Sequence, residues 1–237
     1  MKISQTLDRA ISQTLREANE KRDREHISSG KLSASMLGKP LQDQILKSIG
    51  VPQKQVDDYI LRKFIRGIHC EEWVLTHFNG SLIEKQKFVE YRNVVGYADA
   101  IVDTKEWDFD VGVIPAEVKS VANAKYKRIE QAGSPDRSHL LQGALYALAL
   151  QTKQFALIYI ASDDYRIRVS IHDTEDFRGE IDEIISRYDV QMAKREIPAF
   201  VAIEKWQATP KYMAYPDFAA LSGEAALAKA RELGCKW

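Results

Sequence analysis

The sequence predicts an α/β (α+β) fold, a central mixed β-sheet flanked by helices with an N-terminal helical extension. Two observations carry this. The apolar period switches from helical to alternating and back, in the order helix, three strands, helix, two strands, helix. At 237 residues and 45% apolar, the chain suits one enlarged core better than two small ones. Residues 1–30 are expected as the extension and 31–237 as a single domain. Lys plus Arg equals Asp plus Glu at 34 each, so bulk charge draws the molecule to no polyanion. Any nucleic-acid site has to be a local patch. Two cysteines, Cys70 and Cys235, can build neither a disulfide framework nor an all-cysteine zinc or iron–sulfur site. No run approaches the roughly 18 apolar residues of a membrane helix, and the charged start does not read as a signal peptide. A cytoplasmic protein without a membrane partner is expected.

Residues 4–26 read as a charged surface helix with Leu7, Ile11 and Leu15 as its only apolar stripe. Ser33 or Ser35 is a candidate N-cap, and residues 41–49 form a short helix ending at Gly50. From about Gln53 to Phe78 the spacing predicts a long helix whose inward stripe is Ile60, Phe64, Ile68 and Leu75. Glu71 falls inside that stripe, and His69 lies about 160° away from Glu71.

LIEKQKFVEY, NVVGYADAIVD and VGVIPAEVKSV then alternate as three strands of an antiparallel meander. In the second, Val94, Gly96, Ala98, Ala100 and Val102 share one face, and Tyr97, Asp99 and Asp103 the other. In the third, Ile114, Ala116 and Val118 oppose Glu117 and Lys119. Residues 120–137 read as a loop rich in Lys125, Lys127, Arg128 and Arg137, and SHLLQGALYALALQT as a helix. FALIYIA and YRIRVSI form a hairpin, Asp173 or Thr174 caps a helix to about Lys194, and a last helix lies near 222–233.

The informative constellation is Asp99 on one strand with Glu117, Val118 and Lys119 on the next. Period-two alternation sets Lys119 beside Glu117, and neighbouring strands can bring two carboxylates within a few ångströms. Oxygen donors of this kind suit Mg²⁺ or Mn²⁺, and an adjacent ammonium can stabilise charge developing at phosphorus. On spacing alone, an E-x-K on a half-exposed strand is most often a surface cross-strand ion pair. Gln142 and Tyr146, at i and i+4, share a helix face and can reach one site.

Gly96-Tyr97-Ala98-Asp99, then Pro115-Ala116-Glu117-Val118-Lys119, then Gln142 to Tyr146, is closely similar to the G-x-x-D, E-x-K and Q-x-x-x-Y series of RecB-like nucleases in the PD-(D/E)XK superfamily. The resemblance covers about residues 30–160 and extends to CRISPR-associated and phage exonucleases. It implies a restriction-endonuclease-like core and a metal-dependent DNA nuclease. The most expected form is an exonuclease leaving 5′ phosphates, in recombination, repair or end processing. Gly67 followed by Glu71 resembles the upstream G-x-x-x-E, making Glu71 the first choice of helix-borne ligand, with His69 taking that place if the motif is displaced by two residues. The implied metal set is Glu71, Asp99, Glu117 and the Val118 carbonyl; Lys119, Gln142 and Tyr146 join Asp99 and Glu117 as catalytic residues.

Ser33 to Pro40 resembles an S-x-S-x-L-G-x-C segment that precedes an iron–sulfur site in some relatives, but Pro40 replaces the cysteine and WQATPKYMAY, residues 206–215, has none. No cluster is expected, and Trp206, Tyr212 and Tyr215, read as core aromatics, would hold the ends together. Ser35, Lys39, Ser120, Lys125, Lys127, Arg128 and Arg137 are the expected DNA contacts. DNA, as single strands or duplex ends, is the expected partner, with a helicase, recombinase or single-strand-binding protein beside it. The alternatives are a structure-specific or restriction-type endonuclease, a catalytically idle DNA-binding scaffold, and a helical adaptor docking through residues 4–26.

Overall fold

In the computed structural model the described residues are 8–17, 30–108, 110–209, 212–235 and 237. The strands are β1 (Leu32–Ser33), β2 (Leu82–Tyr91), β3 (Val94–Asp103), β4 (Val113–Val121), β5 (Gln154–Ala161) and β6 (Ile167–Asp173). The helices are α1 (Leu41–Ser48), α2 (Asp58–Thr76), α3 (Asn123–Ala132), α4 (Arg137–Leu150), α5 (Glu175–Lys194) and α6 (Gly223–Glu232). Residues 8–17 are also helical.

β2, β3 and β4 form the expected antiparallel meander. β4 runs parallel to β5 after a crossover through α3 and α4, and β5 and β6 close as a hairpin. The mixed sheet is covered on both sides, which explains the unbroken apolar run of β5. Phe155, Leu157 and Tyr159 enter a larger core with α4 and α5. Ala156, Ile158 and Ile160 enter a smaller one with α2. A mixed six-stranded sheet flanked by helices is the architecture that the sequence predicts. Among the described residues no helix is long and apolar enough to cross a membrane.

Several expectations need correction. β3 does not keep one apolar face: Val94 and Ala98 pack in the larger core, Ala100 and Val102 in the smaller. The strand changes layer at Asp99. α2 begins at Asp58, and Phe64 and Ile68 of its expected stripe are 42% and 39% exposed. Only its C-terminal half rests on the sheet, through Cys70, Val74 and Leu75, so a stripe drawn over the whole helix points the wrong way at its start. Residues 120–137 hold α3 rather than a loop, because Tyr126 and Ile129 reach the core and anchor an otherwise charged segment. Gly133, at φ 65°, ends that helix in the left-handed conformation.

Residues 8–17 lie against α2 through the ion pairs Arg16–Asp58 and Asp8–Arg62. Ile11 is exposed, and the remainder of the expected 4–26 helix lies outside the described residues. Trp206 and Tyr212 are exposed, stacked edge to face, while Tyr215 is buried. The C-terminal segment is instead held by amides. Gln207 donates to the Gly38 carbonyl at 2.9 Å and accepts from Ile203 and Glu204 N–H at 2.8 and 3.0 Å. Gln42 donates to the Pro198 and Leu221 carbonyls, both at 2.8 Å.

Candidate active site

The site stands at a fork in the sheet. β3 and β4 pair from Asp103 opposite Val113 to Ala100 opposite Ala116, where the ladder stops. Beyond that rung β4 stays with β5, and β3 turns to β1 at Val94 and Val95. Asp99 and Glu117 stand one residue past the last rung. The Asp99 carboxylate takes the place of a backbone acceptor, its Oδ2 receiving the Val118 N–H at 2.8 Å. Glu117 is 0% exposed, Asp99 is buried, and Lys119 pairs with Glu117 Oε1 from a half-buried position.

Glu71 reaches the fork from α2. Gln86 of β2 bridges the two acids, its Nε2 donating to Glu71 Oε1 at 2.8 Å and lying 3.4 Å from Asp99 Oδ1. Gln86 holds φ at 50°, a left-handed conformation uncommon for a residue with a side chain. Three carboxylates thus face one ammonium in a place with little water. Burial first, then the Asp99 charge, pushes Glu117 up to about 8 and Glu71 up to about 7. Burial also raises Asp99 against the pull of Lys119 and the Val118 N–H. For Lys119 burial acts downward, and Glu117, Asp99 and Glu71 together outweigh it, leaving the ammonium above its ordinary value.

The helix face expected of α4 is also at the fork. Gln142 Nε2 donates to the Tyr146 hydroxyl at 2.7 Å, and burial followed by the Glu117 charge raises the Tyr146 phenol. A Cβ on Gly96 would come within 2.8 Å of the Tyr146 ring and 2.9 Å of the Ala34 methyl. The glycine of G-x-x-D is there for close approach.

Other expected residues are dispersed. His69 is exposed near Glu72 and points away from the fork, leaving Glu71 as the helix-borne acid. Ser120 lies under α2, its Oγ 3.4 Å from where a Gly67 Cβ would stand, away from Lys119. Ser35 is exposed and bonded to Ser33. Lys39 sits 5.1 Å over the Trp206 ring, its ammonium lowered by burial. Lys125 pairs with Asp136 and Arg137 with Glu180; Lys127 and Arg128 are exposed on α3.

Sequence reasoning passed over Gln86, Tyr159 and His139. Tyr159 pairs with Lys119 across the parallel strands. Its hydroxyl meets His139 Nδ1 at 2.8 Å and accepts the Asp136 N–H at 3.1 Å, tying the start of α4 to the sheet. Burial, then Lys119 and Lys125, lowers His139 to about 3, so it is neutral at pH 7.

The donors at the fork are oxygens, which suit a hard divalent cation. Glu117 Oε2 is buried with no hydrogen-bond partner among the described residues, and the carboxylates repel one another. A cation of charge two would relieve both. Among the described residues no three His, Cys, Asp or Glu side chains form a ready cage. Mg²⁺ does not require one, since it binds through one or two carboxylates and keeps several waters.

No family model matches the chain, and no curated protein does. Solved structures do. An alkaline exonuclease, LHK-Exo, from Laribacter hongkongensis is similar at 11% identity and a TM-score of 0.49, over 71% of this chain and 92% of that one. SSO0001 is similar at 18% identity and a TM-score of 0.45, over 74% and 86%. A phage-related exonuclease from Haemophilus somnus 129PT is similar at 12% identity and a TM-score of 0.44, over 70% and 96%. In its motif order and in the acid, acid and lysine set at a sheet fork, the chain resembles the RecB-like branch of the PD-(D/E)XK nucleases.

Proposed function

We propose that the protein is a metal-dependent DNA nuclease, an exonuclease that leaves 5′ phosphates during recombination, repair or end processing, with residues 31–237 as its nuclease domain. The observation that carries the reading is the burial of Asp99 and Glu117 beside Lys119 where β3 and β4 part, with Glu71 over them. A fold gains no stability from crowding three carboxylates around one ammonium. A scaffold has no use for it.

Glu71, Asp99, Glu117 and the Val118 carbonyl would hold one or two Mg²⁺ or Mn²⁺ ions. Bound there, the metal supplies Lewis acidity toward the scissile phosphate and a water of lowered pKa. The Val118 N–H fixes the Asp99 carboxylate, and Gln86 holds Glu71 toward it. Lys119 orients the attacking water and offsets the negative charge that grows on the phosphate oxygens. In-line attack joins the water oxygen to phosphorus and breaks the bond to the 3′ oxygen; the attacking water gives its proton to solvent, the 3′ oxygen takes one from solvent as a hydroxyl, and the phosphate stays on the 5′ side. Gln142, anchored on the hydroxyl of buried Tyr146, would line the path of the substrate strand.

Digestion of end-labelled single- and double-stranded DNA with Mg²⁺ or Mn²⁺, for wild type, Lys119→Ala and a chelator control, tests this. Expected is metal-dependent release of 5′-phosphorylated mononucleotides, abolished in the variant. Internal fragments in place of mononucleotides would convert the reading to an endonuclease. DNA binding without cleavage would convert it to a scaffold.

A further inference from the structure

We infer that Phe88 and Tyr97 form a stacking platform for an unpaired nucleobase beside the scissile phosphate, which directs the enzyme to single-stranded or frayed ends; this rests on the nuclease reading above. The two residues are a cross-strand pair of β2 and β3, with ring centroids 5.4 Å apart at 64°. They remain 50% and 48% exposed on a sheet that buries most of its large side chains. Each stands two residues along its strand from a group of the fork, Tyr97 from Asp99 and Phe88 from Gln86. Two residues of strand span about 6.7 Å, which sets the pair beside the fork. The edge-to-face contact fixes the rings while leaving ring surface open, and every base has a π-face to lay on it.

A second observation points to the same ligand. Lys119, Lys125 and Arg137 are paired with Glu117, Asp136 and Glu180, and the chain carries no net charge. Part of the basic complement is therefore held in ion pairs, which leaves phosphate contacts to the bound cation and to exposed Lys127 and Arg128. Stacking supplies a grip that does not depend on charge or sequence. Paired bases inside a duplex present no free face, so this grip is specific to unpaired ones.

The test is steady-state cleavage of a single strand and of a blunt duplex by wild type, Phe88→Ala, Tyr97→Ala and Tyr97→Phe. The expected result is a KM for the single strand raised on the order of tenfold or more in each alanine variant, with kcat within about twofold and near-wild-type KM in Tyr97→Phe. The blunt duplex should respond less. Because the side chains are half exposed, folding should survive; if an alanine variant does not fold, quenching of 2-aminopurine at the nucleotide next to the cleaved bond reports stacking in wild type. Unchanged KM in the alanine variants, or no quenching, overturns the platform and leaves the nuclease standing. No cleavage by wild type overturns both.

Discussion

Two polar clusters among the described residues are built on opposite principles. Around the C-terminal segment the cluster is neutral: Gln207 uses its carbonyl and its amide on three backbone groups, and Gln42 uses both donor hydrogens. At the sheet fork it is charged, with Glu71, Asp99 and Glu117 set against Lys119. Paired amides stabilise where they stand. Excess buried carboxylate destabilises until a cation arrives. The contrast separates a device for holding the fold from one held by the fold.

Substitution should break this contrast in opposite directions. Lys119→Ala or Glu117→Gln should lower kcat by about a thousandfold or more in saturating Mg²⁺, with unchanged far-UV circular dichroism, since these groups serve the transition state. Gln207→Ala should do the reverse, lowering unfolding free energy by about 2–4 kcal/mol in urea melts, because it strands Gly38, Ile203 and Glu204 backbone groups. Its kcat per folded molecule should stay within a few-fold of wild type. Equal losses of rate and stability in both kinds of variant would erase the distinction.

A pH scan sharpens it. Glu117 rises from an ordinary 4.5 to about 8 in the folded state, and Glu71 to about 7. The folded state therefore holds more protons than the unfolded one between about pH 4.5 and 8, so stability falls as pH rises through that window. Without divalent cations, Tm should drop over it by several degrees. Glu117→Gln should flatten the fall, and Mg²⁺ or Mn²⁺ should reverse it in wild type only. The smallest effect belongs to the exposed pair on α3. Lys127→Ala with Arg128→Ala should weaken DNA binding a few-fold and reduce the salt slope by about two, without altering kcat.

Much of this was legible in the sequence because the signals were local. Alternation exposed β2, β3 and β4, and it set Lys119 beside Glu117 whatever the strands later paired with. Gln86 was within reach: two residues, Arg92 and Asn93, separate Tyr91 from its partner Val94, and counting back along that register sets Gln86 opposite Asp99. Other features depend on distant parts of the chain. Tyr159 meets Lys119 only through the parallel register of β4 and β5, and no local period announces it. The Gln42 and Gln207 clasp joins residues over 150 positions apart from the carbonyls or chain they hold, where polar residues read as surface. Phe64 and Ile68 misled because periodicity reports that a helix has an apolar face and not which half of it is covered.

The central claim is that the fork exists to cleave phosphodiester bonds with a divalent cation. The most direct measurement is the single-turnover rate on 5′-labelled single-stranded DNA in Mg²⁺, wild type against Glu117→Gln, both verified as folded. A chelator-sensitive wild-type rate that falls by about a thousandfold in the variant is the predicted result. An inert wild type in Mg²⁺ and Mn²⁺, or a variant that cleaves as fast, would contradict the account.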